Sequence, residues 1–248
     1  QGLNPKALQA VVDDIAADTK SLFIVRNDRV VVEWYGFDDD FHGGKTHYTA
    51  SLAKALVGGL SLMLALEEGR LRVDDPAWLY VPAWRDDPLK SRITVRHLAS
   101  HSAGIENAET AGATHFDQGG WKQAFWERDK PDPFTVARDE APVLFEPGSA
   151  YDYSNPGMAM LAWVVTASLQ QTDPMGAPGG SGDDDIRSLL ERRIMDPIGV
   201  PAEEWNIGYG ETHEVDGLRL VANWGGGSFT PRAVARVGRL LLRRGDWE

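Results

Sequence analysis

The order of segments along this chain predicts an α/β (α+β) fold: an antiparallel sheet flanked by helices, with a mainly helical domain inserted into it. Three observations lead there. Two strand-like segments joined by a turn come before residue 50, apolar runs with helical spacing fill the middle, and strand-like segments return after Pro201. Residues 1–50 and 205–248 are therefore expected to build the sheet domain, and residues 51–204 the helical domain.

Taken in order, Pro5, Leu8, Val11, Val12 and Ile15 have helical spacing, with Asn4 as N-cap and Pro5 at the first helical position, so a helix is expected over 5–19. Ser21–Val25 and Arg29–Tyr35 read as a hairpin turning at Arg26-Asn27-Asp28. The polar stretch Asp38–His47 is a loop that delivers the chain to an apolar run, Ala50–Leu66, read as one helix. Thr94 caps a helix that runs to Ser100, with Gly104 in the C′-type position that ends it. Short helices are expected at Trp121–Trp126 and Phe134–Arg138, and a longer apolar one at Gly157–Gln170. Thr172–Gly182 is a Gly/Pro/Ser loop, followed by Asp183-Asp184-Asp185 at the start of helix Ile186–Met195, where carboxylates suit the helix dipole. After Pro201 come strands Trp205–Tyr209 and Leu218–Ala222, a tight turn at Trp224–Gly227, and helix Ala233–Leu242 capped by Thr230-Pro231.

Composition narrows the function. The 248 residues carry a formal net charge of −12, which argues against nucleic acid and anionic membrane surfaces as partners. There are no cysteines, so disulfides, thiolate catalysis and cysteine-ligated metals are excluded together. The longest apolar stretch, Leu56–Leu66, contains two glycines and reads as too short to span a bilayer. No leader peptide is recognisable, yet the chain starts at Gln1, and a periplasmic or secreted location is favoured over a cytoplasmic one.

Ser51-Leu52-Ala53-Lys54 opens the apolar run. In a helix, residues three apart share a face, so Lys54 would stand one turn above Ser51 with its amine over the hydroxyl. A serine in the first turn also has unpaired N–H groups and the positive end of the dipole beside it. Hydroxyl, base and field together make a nucleophile, although four residues of this pattern occur roughly once by chance in such a length, and an N-cap serine is the plain alternative. A second stretch, Glu146-Pro147-Gly148 through Tyr153-Ser154-Asn155-Pro156-Gly157, places Tyr153 and Asn155 two apart in a loop before a helix. A lysine ammonium near Tyr153 would lower the phenol pKa and let it take the serine proton. Here the plain alternative is a tyrosine anchored in the core, with Asn155 capping the next helix.

These two motifs, with three further segments in order, resemble the serine β-lactamase-like family of class C β-lactamases, DD-peptidases and related esterases. Leu98-Ala99-Ser100-His101-Ser102-Ala103-Gly104-Ile105 is similar to the family's LLTHTSGL segment. Pro147-Gly148 ahead of the tyrosine loop is similar to its PGxxxxYSN, and Trp224-Gly225-Gly226-Gly227 with the helix Ala233–Leu242 resembles its glycine turn and rim helix. The resemblance implies a β-lactamase/transpeptidase-like fold and a serine hydrolase working through an acyl-enzyme. It implies Ser51 as nucleophile, Lys54 as its proton-accepting or electrostatic partner, Tyr153 as general base and Asn155 as a substrate-positioning amide, with His101 structural. Trp224 and Gly226 are expected to bind substrate, and Trp121, Trp126 and Trp224 to form an apolar acyl pocket. The substrate expected is a small ester, amide or lactam, with esterase activity favoured; β-lactamase or DD-peptidase activity is the alternative within the class.

One part of the family pattern is missing. A Lys/His-x-Gly strand, which in the family supplies one oxyanion-hole N–H, should follow the last helix, and the sequence given ends before it. C-terminal strands are therefore expected to be absent, and a non-catalytic, ligand-binding or regulatory role is the reading from another class. No cofactor is expected. His97 and His101 have i, i+4 spacing that suits zinc, but no Glu follows His97 as a zinc protease would need. Asp38-Asp39-Asp40 and Asp183-Asp184-Asp185 lack calcium-loop spacing, so no metal is expected.

Overall fold

The computed structural model describes residues 2–36, 43–170 and 185–247. Helix α1 (Pro5–Ile15) begins as expected, with the Asn4 side chain accepting from the Lys6 N–H, but stops four residues early. Strands β1 (Ser21–Arg26) and β2 (Arg29–Tyr35) form an antiparallel hairpin. Asn27 and Asp28 both take positive φ at its turn (49° and 58°), the geometry a two-residue hairpin loop requires.

The apolar run from residue 50 is not a single α-helix. It starts as a 3-10 turn (Ala50–Leu52), widens into a π-helical stretch (Lys54–Gly59) and becomes α only in α2 (Leu60–Glu67). The whole run, Ala50–Glu67, has 18 residues and mean hydropathy 1.5, long and apolar enough to cross a membrane by length and composition, which the shorter stretch Leu56–Leu66 was not. In this fold it is a core element, with Ala53, Val57 and Ala65 inaccessible to solvent.

Helix α3 (Val95–Ala99) is closed at its start by Thr94, whose side chain accepts from the His97 N–H. It ends on His101 in the left-handed region (φ 55°), so His101, not Gly104, takes the C′ conformation. Gly104 (φ 77°) serves another need, since a Cβ there would lie 2.5 Å from the Phe145 carbonyl oxygen. Helices α4 (Gly120–Glu127) and α5 (Pro133–Asp139) lead to α6 (Asn155–Gln170). Every residue of α6 from Asn155 to Leu169 is buried, and α2, α3 and α5 pack around it. The cap at its start is Ser154, whose Oγ accepts from the Gly157 N–H at 2.9 Å, which leaves the Asn155 side chain free for other partners.

Helix α7 (Ile186–Leu190) is capped by Asp185, whose Oδ1 accepts from the Arg187 and Ser188 N–H groups at 2.9 and 3.0 Å. That carboxylate caps a helix, as the dipole argument expected; Asp183, Asp184, the loop Thr172–Gly182 and Asp38-Asp39-Asp40 lie outside the described residues.

The described strands do not merge into one sheet. Besides the β1–β2 hairpin, β3 (His47–Tyr48) and β4 (Trp205–Asn206) flank β7 (Ser228–Phe229), and β5 (His213–Val215) pairs with β6 (Leu218–Leu220), all antiparallel. Glycines cut these strands short. Gly208 (φ 65°) would put a Cβ 2.5 Å from Val221, and Gly226 (φ 70°) would put one 2.4 Å from the Tyr209 nitrogen, so close backbone approach replaces extended pairing here. The two ends of the chain do meet, at β3 and β7. Helix α8 (Pro231–Leu242), capped by Thr230, lies on β1. One apolar core runs from Ala53 through Trp84, Met160, Trp205 and Phe229 to Leu240.

Candidate active site

Residue Ala50 takes positive φ (45°) immediately before Ser51, which tips the serine onto the first turn of the helical run. The Thr49 N–H donates to the Gly227 carbonyl at 2.8 Å, and a Cβ on Gly227 would lie 2.4 Å from Thr49 Oγ1. The turn Trp224–Gly227 therefore lies against the residues that precede the serine, and only glycine fits at 227.

Two side chains, from two chain segments, meet the serine hydroxyl, and a third segment meets its lysine. Lys54 Nζ lies 3.3 Å from Ser51 Oγ, and the Tyr153 hydroxyl donates to the same oxygen at 2.7 Å. Lys54 Nζ also donates to Asn155 Oδ1 and to the Trp224 carbonyl, both at 2.7 Å, and sits 4.6 Å from the centre of the Tyr153 ring. Ser51, Lys54, Tyr153 and Asn155, chosen from motifs about a hundred residues apart, are thus brought together within hydrogen-bond reach.

Burial is the largest influence on the lysine. It pulls the Lys54 pKa from 10.5 down to about 8, with the Glu109 carboxylate acting the other way. Tyr153 behaves contrary to the sequence expectation. Burial raises its pKa, outweighing the Ser51 hydrogen bond that lowers it, and the negative charge of Glu109 pushes it further up. In this site the phenol holds its proton and the amine is the group that loses one easily.

Hydrogen-bond bookkeeping agrees. A neutral lysine amine has two N–H donors and one lone pair. Asn155 Oδ1 and the Trp224 carbonyl, at 2.7 Å each, match the two donors, and the longer 3.3 Å approach leaves the lone pair for the Ser51 hydroxyl proton.

Two expectations about Trp224 and its neighbours change. The Trp224 ring is 1% exposed, packed among Phe125, Phe134 and Tyr209, and it is the backbone carbonyl that reaches the site. Trp126 is also core, its indole N–H donating to the Ala108 carbonyl at 2.8 Å. These rings do not line an apolar pocket because each is already covered, Trp224 by core aromatics and Trp126 by Phe125 at an edge and the His115 ring stacked on its face. A cavity of about 340 Å³ opens instead beside Thr49 and Leu52, lined by Phe23, Tyr48, Phe229 and Val234. Gly226 acts through its backbone: its carbonyl accepts from the Tyr209 N–H at 3.0 Å.

His97 and His101 do not converge as a metal pair. His97 Nδ1 accepts from the Thr94 N–H at 3.3 Å, in the α3 cap. The His101 ring stacks on Tyr153 with centroids 4.8 Å apart, and its Nδ1 accepts from the Ser154 N–H at 3.2 Å. Among the described residues no group of three His, Asp or Glu side chains is placed to hold a metal ion. Sequence reading missed Asn107. Its Oδ1 accepts from both the backbone and the side-chain amide of Asn155, each at 3.1 Å, which fixes the orientation of that amide. Nothing in the local pattern marks Asn107, since its role exists only once the loop folds against α6.

The beta-lactamase family profile matches residues 7–246. The chain belongs to the beta-lactamase family. Its fold is β-lactamase/transpeptidase-like, as three solved structures show. A Bacillus anthracis protein provisionally assigned as a 6-aminohexanoate-dimer hydrolase superposes with TM-score 0.68 at 22% identity, covering 97% of this chain and 58% of that one. The octameric penicillin-binding protein homologue from Pyrococcus abyssi gives 0.66 at 18% identity, covering 98% and 57%. A D-stereospecific amidohydrolase from Streptomyces sp. gives 0.66 at 19%, covering 97% and 73%. The chain thus spans less than two thirds of the length of the first two. Comparison with curated protein sequences gives no match. Within the beta-lactamase family, the S-x-x-K and Y-x-N segments of this chain are Ser51–Lys54 and Tyr153–Asn155.

Proposed function

We propose that this member of the beta-lactamase family is a serine hydrolase that works through an acyl-enzyme on a small ester or amide. The observation that supports it is the Ser51 hydroxyl held between an amine of lowered pKa and a phenol, at 3.3 and 2.7 Å. Ser51 Oγ attacks the substrate carbonyl as its proton passes to the neutral Lys54 amine. The new C–O bond forms, the bond to the leaving group breaks, and the departing oxygen or nitrogen takes a proton from Lys54 directly or through the Tyr153 hydroxyl. Water then attacks the acyl carbon, gives its proton back along the same groups, and releases the carboxylic acid with Ser51 restored. The Ser51 N–H, in the first turn of the helical run where N–H groups lack helical partners, is a donor for the developing oxyanion.

Ester or amide turnover is favoured over lactam turnover because lactam antibiotics carry a carboxylate beside the reactive carbonyl. Lys54 works here as a neutral base with both N–H donors committed to Asn155 and the Trp224 carbonyl, so it offers that carboxylate neither charge nor donor. A fluorophosphonate probe should label Ser51, and a p-nitrophenyl ester should be hydrolysed faster than a chromogenic cephalosporin. Folded protein that resists the probe at Ser51 would overturn the acyl-enzyme reading; faster cephalosporin turnover would reverse the substrate order and favour a β-lactamase.

A further inference from the structure

Acyl transfer as described leaves Glu109 without a task, yet this carboxylate is wired to the centre of the site. Asn107 accepts from Asn155 through Oδ1, and its own Nδ2 donates to Glu109 Oε2 at 3.1 Å. Glu109 is therefore joined to Lys54 by three hydrogen bonds in series, through Asn107 and Asn155. Its other oxygen faces His115 Nε2 at 3.4 Å, and the side chain is 45% exposed. The carboxylate is held in place from behind and open to solvent in front.

Its field reaches the reacting groups. Glu109 raises the pKa of Lys54 and, among the described carboxylates, is the one that raises that of Tyr153. The rim around it offers little to cancel that field. Lys122 is paired with Glu106 at 2.7 Å and Arg128 with Glu211 at 3.2 Å, while Asp152 adds a further negative charge near His101. A substrate approaching Ser51 enters the field of this fixed anion.

We propose that Glu109 selects substrates whose acyl group ends in a protonated amine, and that acyl groups ending in an anion are disfavoured. The proposal rests on the acyl-enzyme reading above and narrows it to amino-bearing esters and amides. An ammonium group there gains a charge-assisted hydrogen bond to a carboxylate already oriented by Asn107, so little ordering is needed on binding. Because Glu109 is partly exposed, the gain is of the size of a rim ion pair, about fivefold in rate rather than thousands.

The test uses three p-nitrophenyl esters of matched length ending in an ammonium, a methyl or a carboxylate group, and neutral and amine-bearing fluorophosphonates, on the natural chain and on Glu109→Gln. The expected result is a kcat/KM and a labelling rate about fivefold higher for the ammonium compounds than for the neutral ones, with the carboxylate ester slowest. That ratio should fall toward one in Glu109→Gln, and in the natural chain at about 0.5 M salt. Ratios are the decisive readout, because a Glu109 that only braces Asn107 would slow all compounds together and leave the ratio alone. Equal rates for neutral and ammonium compounds, or a preference that survives Glu109→Gln, would overturn the proposal while leaving Ser51 labelling intact. Absence of Ser51 labelling by either probe would overturn the acyl-enzyme reading and this one with it.

Discussion

Helices α6 and α8 are held in the same molecule on opposite terms. All of α6 from Asn155 to Leu169 is buried, and helices surround it. Of α8 only Ala233, Val237 and Leu240 are buried, and its polar face is tied to the hairpin by Arg232–Glu33, Arg239–Asp28 and Arg243–Asp28 pairs. The site hangs from the first kind of element. Asn155 is the opening residue of α6, and Lys54 opens the π-helical stretch packed beside it. Close packing resists small displacements, whereas exposed ion pairs let their partners move and exchange with water. A hydroxyl that needs two proton-handling groups within about 3.3 Å is better placed on the rigid side.

The largest effect that would break this comparison concerns the nucleophile alone. Ser51→Ala should lower ester hydrolysis by at least about a thousandfold while leaving the thermal midpoint nearly unchanged, since it removes one exposed hydroxyl. Retained turnover, measured on protein free of contaminating esterase, would place the chemistry elsewhere. Next comes the α6 core. Leu161, 1% exposed, should cost about 2–5 kcal/mol when changed to Ala, read from urea unfolding. The rate per probe-labelled Ser51 should hold in the fraction that stays folded. A loss much below that range would show that α6 is less tightly packed than its burial implies.

How far the sequence foretells this depends on whether a feature is local. Asn4, Thr94 and Thr230 are caps recognisable from one residue and its neighbours, and all three accept backbone N–H bonds as expected. Ser51 and Tyr153 were found through motifs, and their 2.7 Å contact is a tertiary fact that spacing along the chain does not encode. Among the described residues the strands form three small sheets and not one, because strand length depends on close approaches such as Gly226 on Tyr209, between residues 17 apart in sequence. Tyr153 was assigned the wrong direction of pKa shift for the same reason. The nearby lysine was legible, but the burial that dominates was not. Trp126 and Trp224 misled in the reverse sense: expected near a cleft, they are core residues here, since their area is worth most when covered, while Trp121 is half-buried against that core.

A smaller effect sharpens the electrostatics. With the Lys54 pKa near 8, the ammonium that prevails below that pH lacks the lone pair needed to accept the Ser51 proton. The kcat/KM should therefore fall about tenfold per pH unit on the acid side and level off above about 8. Glu109→Gln should move the midpoint down, because the carboxylate raises this pKa. The same lysine has the opposite sense for folding: burying the ammonium costs stability below about 8, and the cost is relieved as pH climbs toward 10.5. A flat profile through neutrality would remove Lys54 as the base.

The smallest effect belongs to α8. The Arg232 guanidinium, 2.7 Å from Glu33 and 56% exposed, holds the Glu33 carboxyl below its ordinary value, with the Tyr35 hydroxyl helping. A lowered carboxylate pKa contributes to stability above the unfolded value of 4.5 and ceases to as pH falls below it. Because the pair is exposed and screened, Arg232→Ala should cost no more than about 1 kcal/mol near neutrality, and less in high salt. Its effect on ester hydrolysis should be nil, measured alongside Leu161→Ala under one set of conditions. If Arg232→Ala slowed the reaction as well, α8 and the hairpin would be mechanically coupled to Ser51, and the division between a packed site and a loosely tied periphery would fail.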